Sequence, residues 1–102
     1  MTLETYPWDA AEHIDSPEAA AAYFEAAVEL AVESGDHAIV AAALGDIARA
    51  RGMSEIAREA GVTREALYKA LSERGDPKLS TLLGVMRALG LKLRVEPKEA
   101  AA

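Results

Sequence analysis

The sequence predicts an all-α domain of five helices with a short C-terminal strand. Apolar residues recur at helical spacing through most of the 102 residues. Alanine is abundant and aromatic residues make up only 5% of the chain, which favours short helices packed closely together. Capping residues and glycines stand where such helices would begin and end. A chain of this length forms one domain whose core needs neither a metal nor a disulfide.

The charged residues are distributed unevenly along the chain. Residues 1–48 contain ten acidic residues and no Lys or Arg, so their formal charge is −10. Residues 49–102 contain all eleven basic residues and seven acidic ones, which gives +4. This division predicts two surfaces for two kinds of partner. The basic part suits a polyanion, and the acidic part suits a basic protein.

Several kinds of site and location are disfavoured by the composition. The chain has no Cys, which excludes disulfides, thiolate metal sites and cysteine nucleophiles. His13 and His37 are isolated, and there is no paired-carboxylate signature or Gly-rich phosphate loop. Neither a signal peptide nor an apolar run long enough for a membrane span is visible. We therefore expect a cytoplasmic protein that is not an enzyme and binds no metal or cofactor.

The chain divides into three predicted parts: an acidic arm over residues 1–15, a helical domain over 16–96 and a tail over 97–102. Ser16 and Pro17 mark the start of the first helix, because Ser caps a helix and Pro fits its first position. Gly35 marks its end. The predicted buried stripe of this helix consists of Ala20, Tyr23, Phe24, Ala27, Leu30 and Ala31.

Four further helices are predicted, and a strand follows the last of them. Asp36 is expected to cap a helix over residues 37–51. Three shorter helices are expected at 54–60, 64–71 and 79–89, and Thr63 is expected to cap the second of these three. Residues 91–95 alternate apolar and basic side chains, a strand pattern that Pro97 stops. A lone strand is unstable, so we expect it to pair, for example with its copy in a second chain.

Residues 53–72 match the helix-turn-helix unit with which many proteins read DNA. Ala57 is small where the two helices cross, and Gly61 allows the positive φ of the turn. Apolar residues fill the buried positions of both helices, at Ile56, Ala60, Val62, Leu67 and Ala70. A plain packing hairpin is the alternative. Residues 49–78 contain seven basic and five acidic residues, so specific contacts and a dimer, rather than bulk charge, are expected to support binding.

The unit also predicts which side chains meet DNA. The first turn of the second helix normally faces base edges in the major groove, where Arg64 suits guanine and Glu65 suits cytosine N4. Tyr68 and Lys69 suit phosphate or the thymine methyl group, and residues near helix starts suit phosphate. The predicted DNA-binding residues are Ser54, Thr63, Arg64, Glu65, Tyr68, Lys69 and Lys78.

Two resemblances extend this interpretation. Residues 53–72 with 77–89 resemble the λ-repressor-like (Cro/C1) helix-turn-helix family. The chain from Glu4 to Val95 resembles more closely the HigA-like addiction-module antidotes, the antitoxins of type II toxin–antitoxin pairs. The stretches that carry this second resemblance are TYPWDAAE at 5–12, AALGDIARARGMS at 42–54 and REALYKAL at 64–71.

The resemblance to antidotes implies two partners, in addition to the homodimer that the weak charge of the DNA-reading unit predicts. Such an antitoxin binds and neutralises a small basic RelE/ParE-like toxin, and it represses its own operon by binding operator DNA. The expected toxin-binding residues are Tyr6, Trp8, Asp9 and Glu12, since aromatic anchors among acidic residues suit a basic surface. Alternatively, Trp8 packs on the domain's own core. A stand-alone Cro/C1-type transcriptional repressor and a pure protein-interaction module are the alternative functions.

Overall fold

The computed structural model describes residues 14–72 and 74–98. Within these ranges the chain forms five α-helices: α1 Pro17–Ser34, α2 Ala38–Arg51, α3 Met53–Ala60, α4 Arg64–Ala70 and α5 Leu79–Ala88. The predicted all-α class is confirmed, and the helices agree with the predicted ranges to within one residue at each end. No helix of the described part is both long and apolar enough to cross a membrane. The predicted arm lies almost wholly outside the described residues.

Helix α1 begins and ends at the predicted residues. The Ser16 hydroxyl oxygen accepts a hydrogen bond from the Ala19 N–H at 3.0 Å, and Gly35 has the left-handed φ of 77° that closes the helix. The predicted burial of Leu30 is wrong, because its side chain is 53% exposed. Leu30 follows the buried Phe24 by six residues, a rotation of about 240° that turns it away from the core.

Helix α2 contributes more buried residues than any other helix, six of its fourteen. It begins at Ala38, one residue later than predicted, so its N-cap is His37 and not the predicted Asp36. The Asp36 carboxylate accepts a hydrogen bond from the Ala38 N–H at 3.1 Å. A Cβ atom at Gly45 would lie 2.7 Å from the backbone oxygen of Leu71. Only glycine therefore lets the end of α4 approach α2 this closely.

The core joins all five helices into one cluster. Its largest fully buried side chains are Ile14, Leu44, Ile47, Leu67, Leu71, Leu89 and Val85. Helix α5 packs against α3 so closely that a Cβ atom at Gly84 would lie 3.3 Å from the Ala60 oxygen. Helices α2 and α5 thus hold the pair α3–α4 in a fixed position.

The predicted C-terminal strand is not observed. Residues 91–98 have no regular secondary structure. The N–H of Leu91 donates to the Met86 oxygen at 2.9 Å, and no further backbone hydrogen bond joins residues 92–98 to another described segment. A strand requires a neighbour with which to share its backbone groups, and the single chain supplies none within the described ranges.

Candidate nucleic-acid interface

Helices α3 and α4 form a compact pair around one small residue. Ala57 is only 2% exposed, and the Val62 N–H donates to its oxygen at 3.0 Å. Gly61 between them has φ 80°, a conformation that side chains other than glycine rarely adopt. Ile56 and Leu67 are buried beneath the pair. The small residue and the positive φ are those that the sequence predicts. Of the five predicted buried positions, Ile56 and Leu67 are buried, whereas Ala60, Val62 and Ala70 are only half-buried.

The start of α4 is fixed by a side-chain cap. Thr63 has extended backbone angles, φ −76° and ψ 158°, and its hydroxyl oxygen accepts a hydrogen bond from the Ala66 N–H at 3.0 Å. The prediction that Thr63 caps this helix is therefore confirmed. The cap uses one of the first-turn N–H groups, and the others stay open to a polar or anionic partner.

Five of the predicted DNA-binding residues lie together on or beside α4. Thr63, Arg64, Glu65, Tyr68 and Lys69 are all exposed. A large aromatic side chain is usually covered by the core, yet Tyr68 is 40% exposed. The remaining two predicted residues, Ser54 and Lys78, are also exposed but lie at the starts of α3 and α5.

Arg64 and Tyr68 are in direct contact on the exposed face of α4. The Arg64 guanidinium carbon lies 5.3 Å from the centroid of the Tyr68 ring, and its Nη2 is 3.5 Å from the Tyr68 hydroxyl. Residues four apart on a helix are neighbours, so the spacing alone could have predicted this pair. The ring restricts the guanidinium, which lowers the conformational entropy that Arg64 would lose on binding.

A polar network between α1 and α2 was not expected from the sequence. The Tyr23 hydroxyl donates to the Asp46 carboxylate at 2.7 Å, and the Arg49 guanidinium donates to the other carboxylate oxygen at 2.7 Å. Burial, together with the hydrogen bond and the negative charge of Asp46, raises the pKa of Tyr23 to about 12. Arg49, the first basic residue of the chain, is thus already paired within the domain.

The acidic residues of α1 form one exposed row. Glu18, Glu25, Glu29 and Glu33 are all exposed, and their spacing of seven, four and four residues places them along one side of the helix. The expected toxin-binding residues Tyr6, Trp8, Asp9 and Glu12 lie outside the described residues. Their roles stay predictions.

Comparisons with known proteins cover nearly the whole chain. A family model described as "probable addiction module antidote protein" matches residues 4–97. A protein of Haemophilus influenzae, described as an uncharacterized protein, is 47% identical over 96 residues, which is 94% of this chain and 95% of its own length. No solved structure matches the chain. The matched residues include the acidic arm, the row of α1 and the pair α3–α4.

Proposed function

The chain belongs to the family of probable addiction module antidote proteins, and from that membership we propose that it is the antitoxin of a type II toxin–antitoxin module. In this proposal it binds and neutralises a small basic RelE/ParE-like toxin. It also represses its own operon as a homodimer whose λ-repressor-like helix-turn-helix, residues 53–72, binds operator DNA. The protein acts in the cytoplasm and is not an enzyme. The family match over residues 4–97 is the observation that carries the proposal.

The charge distribution supports a basic toxin as one partner. The exposed row Glu18, Glu25, Glu29 and Glu33 belongs to a part of the chain that has no basic residue before Arg49. A continuous field of one sign attracts an oppositely charged protein and accelerates its capture. The arm residues Tyr6, Trp8, Asp9 and Glu12 extend this acidic part and would add aromatic anchors.

The geometry of α4 supports operator DNA as the other partner. Its exposed side includes Arg64, Glu65 and Lys69 around a capped helix start. These are residue types that recognise base edges and phosphates. The same exposed side also favours the second candidate, a stand-alone Cro/C1-type repressor, which would need the pair α3–α4 but no acidic α1.

A pair of double variants separates the two binding roles. Arg64→Ala with Lys69→Ala removes two basic side chains from α4, whereas Arg87→Ala with Lys98→Ala removes the same charge from exposed positions elsewhere. We expect the first variant to lose promoter binding in a gel-shift assay and to retain neutralisation of the toxin. The control variant should keep both activities. Unchanged promoter affinity of the first variant would show that α4 does not contact DNA.

The neighbouring reading frame distinguishes the antitoxin from the repressor. An antitoxin requires a partner gene for a small basic protein that co-purifies with this chain. Failure of that protein to bind, with promoter binding intact, would favour the stand-alone repressor.

A further inference from the structure

An open groove lies between helix α1 and the C-terminal segment, residues 91–96. Its volume is about 710 Å³. The apolar side chains that line it include Phe24, Val28, Val32 and Met86. Val32 is 74% exposed, and in the C-terminal segment Leu93 is 59% and Val95 is 89% exposed. Apolar side chains grouped in this way and left open to water mark a surface that another molecule covers.

The C-terminal segment also has free backbone groups. Beyond the bond from Leu91 to Met86, no backbone hydrogen bond of residues 92–98 reaches another described part of the chain. The side chains alternate between apolar residues at 91, 93 and 95 and charged residues at 92, 94 and 96. This period of two fits a strand with one apolar face, and a free strand edge is a template for a further strand.

We propose that a second copy of this chain fills the groove. Residues 91–96 of the second copy enter the groove of the first copy, where they lie between its α1 and its own residues 91–96. The two segments run antiparallel to each other. The same contact, repeated by twofold symmetry, places the first segment beside the second α1. The inference rests on the homodimer of the proposed function and supplies its interface.

The charges of the groove match those of the segment that would enter it. Glu25 and Glu29 of α1 line the groove and are exposed. The entering segment has Lys92 and Arg94 on its polar face and apolar residues on the other. Its apolar face therefore covers the side chains of the groove while its basic residues approach the two glutamates. A neutral or acidic segment would lack this complementarity.

The sequence of the segment selects one register for the two strands. If the twofold axis passes through Arg94, Leu93 lies opposite Val95 and Lys92 lies opposite Glu96 in both halves of the dimer, while the two copies of Arg94 face each other once. If the axis passes through Leu93, Lys92 lies opposite Arg94 twice, which brings like charges together. Opposite charges directly across a strand pair stabilise it and like charges destabilise it. The register centred on Arg94 has two opposite-charge pairs against one like-charge pair, whereas the register centred on Leu93 has two like-charge pairs and no opposite-charge pair. The register centred on Arg94 is therefore the one we propose.

Cysteine variants report this register directly, because the chain has no Cys of its own. Residues on the twofold axis face their own copies, so Arg94→Cys should form a disulfide-linked dimer under mild oxidation. Leu93→Cys should remain largely unlinked, as should Ser54→Cys on the exposed start of α3. Efficient linking of Leu93→Cys in preference to Arg94→Cys would overturn the register. If neither Arg94→Cys nor Leu93→Cys forms a disulfide-linked dimer, the proposed interface is overturned.

Charge reversal provides the second test, in full-length protein by sedimentation equilibrium. Lys92→Glu should raise the dimer dissociation constant about tenfold, because it places like charges opposite Glu96 in both halves. Lys92→Glu with Glu96→Lys should restore it to within about twofold. Lys98→Glu, the matched control, should change it little, because residue 98 has no charged residue opposite it in this register.

The outcomes separate this inference from the proposed function. Stronger association of Lys92→Glu would indicate a register in which Lys92 faces a basic residue, as in the one centred on Leu93, and would overturn the one proposed. A wild-type chain that is monomeric at tens of micromolar, yet neutralises the toxin, would overturn the interface and leave toxin capture standing. If the chain fails to neutralise the toxin but forms the dimer in the proposed register, toxin capture is overturned and the interface stands.

Discussion

Replacing Gly45 by Ala tests how closely helix α2 approaches the end of α4. The new Cβ atom would lie 2.7 Å from the backbone oxygen of Leu71, well inside van der Waals contact. Leu71 is the C-cap of α4 and is only 2% exposed. Because the contacted atom belongs to its backbone, rotation of a side chain cannot relieve the clash. Overpacking of this kind costs about 2 kcal/mol, while the better helix propensity of Ala returns about 1 kcal/mol. We expect a net loss of about 1 kcal/mol, or about 4–8 °C in Tm.

Thermal unfolding followed by circular dichroism measures this effect, with Gly84→Ala as the matched control. Gly84 is also helical, but its added Cβ atom would meet the Ala60 oxygen at 3.3 Å, a contact that needs only a small adjustment. The higher helix propensity of Ala should then offset the cost of this contact, and Tm should change by less than about 3 °C. A Gly45→Ala protein as stable as Gly84→Ala would refute the proposed close approach of α2 and α4.

Three further predictions concern the polar network, the caps and the arm. The pKa of Tyr23 is raised to about 12, so the protonated Tyr23 hydroxyl stabilises the folded protein fully below pH 10. This contribution to the free energy of unfolding is lost as pH rises from about 10 through 12. After allowing for solvent screening, the loss is about 1 kcal/mol. Urea titrations should show this fall in stability, and the Tyr23→Phe variant should not show it. If the variant loses as much stability over the same pH range, the network of Tyr23 and Asp46 is not the source of the loss. Ser16→Ala and Thr63→Ala should each lower stability by about 1 kcal/mol, but only Thr63→Ala should weaken promoter binding; equal promoter affinities would contradict the assigned position of α4. Deletion of residues 1–15 should weaken toxin co-purification more than promoter binding, whereas unchanged co-purification would remove the arm from the toxin site.

Local signals predicted much of the fold. A cap, a positive φ and a buried stripe depend on residues within about four positions of one another, and Ser16, Gly61 and Thr63 adopt the predicted conformations. The exposure of the seven residues assigned to DNA depends on the same helical periodicity. These features could be read from the sequence because the interactions that determine them are short in range.

Features that depend on distant residues were missed or misjudged. Tyr23 and Asp46 are 23 positions apart, and the requirement for glycine at 45 arises from Leu71, so neither has a local signature. Leu30 fits an apolar stripe, yet none of the described elements packs against its side of α1 closely enough to bury it. The strand predicted at 91–95 has a clear pattern, but it has no neighbouring strand among residues 14–72 and 74–98 and is not formed there. The pattern of a segment therefore does not by itself show whether a neighbouring strand is present.

The central claim, that this chain neutralises a toxin, is tested most directly by growth of cells that express the basic protein from the neighbouring reading frame. We expect that protein alone to arrest growth, and co-expression of this chain to restore it. The variant Arg64→Ala with Lys69→Ala should restore growth equally well, because those side chains are assigned to DNA. An arrest that persists at equal expression of the wild-type chain would contradict the claim.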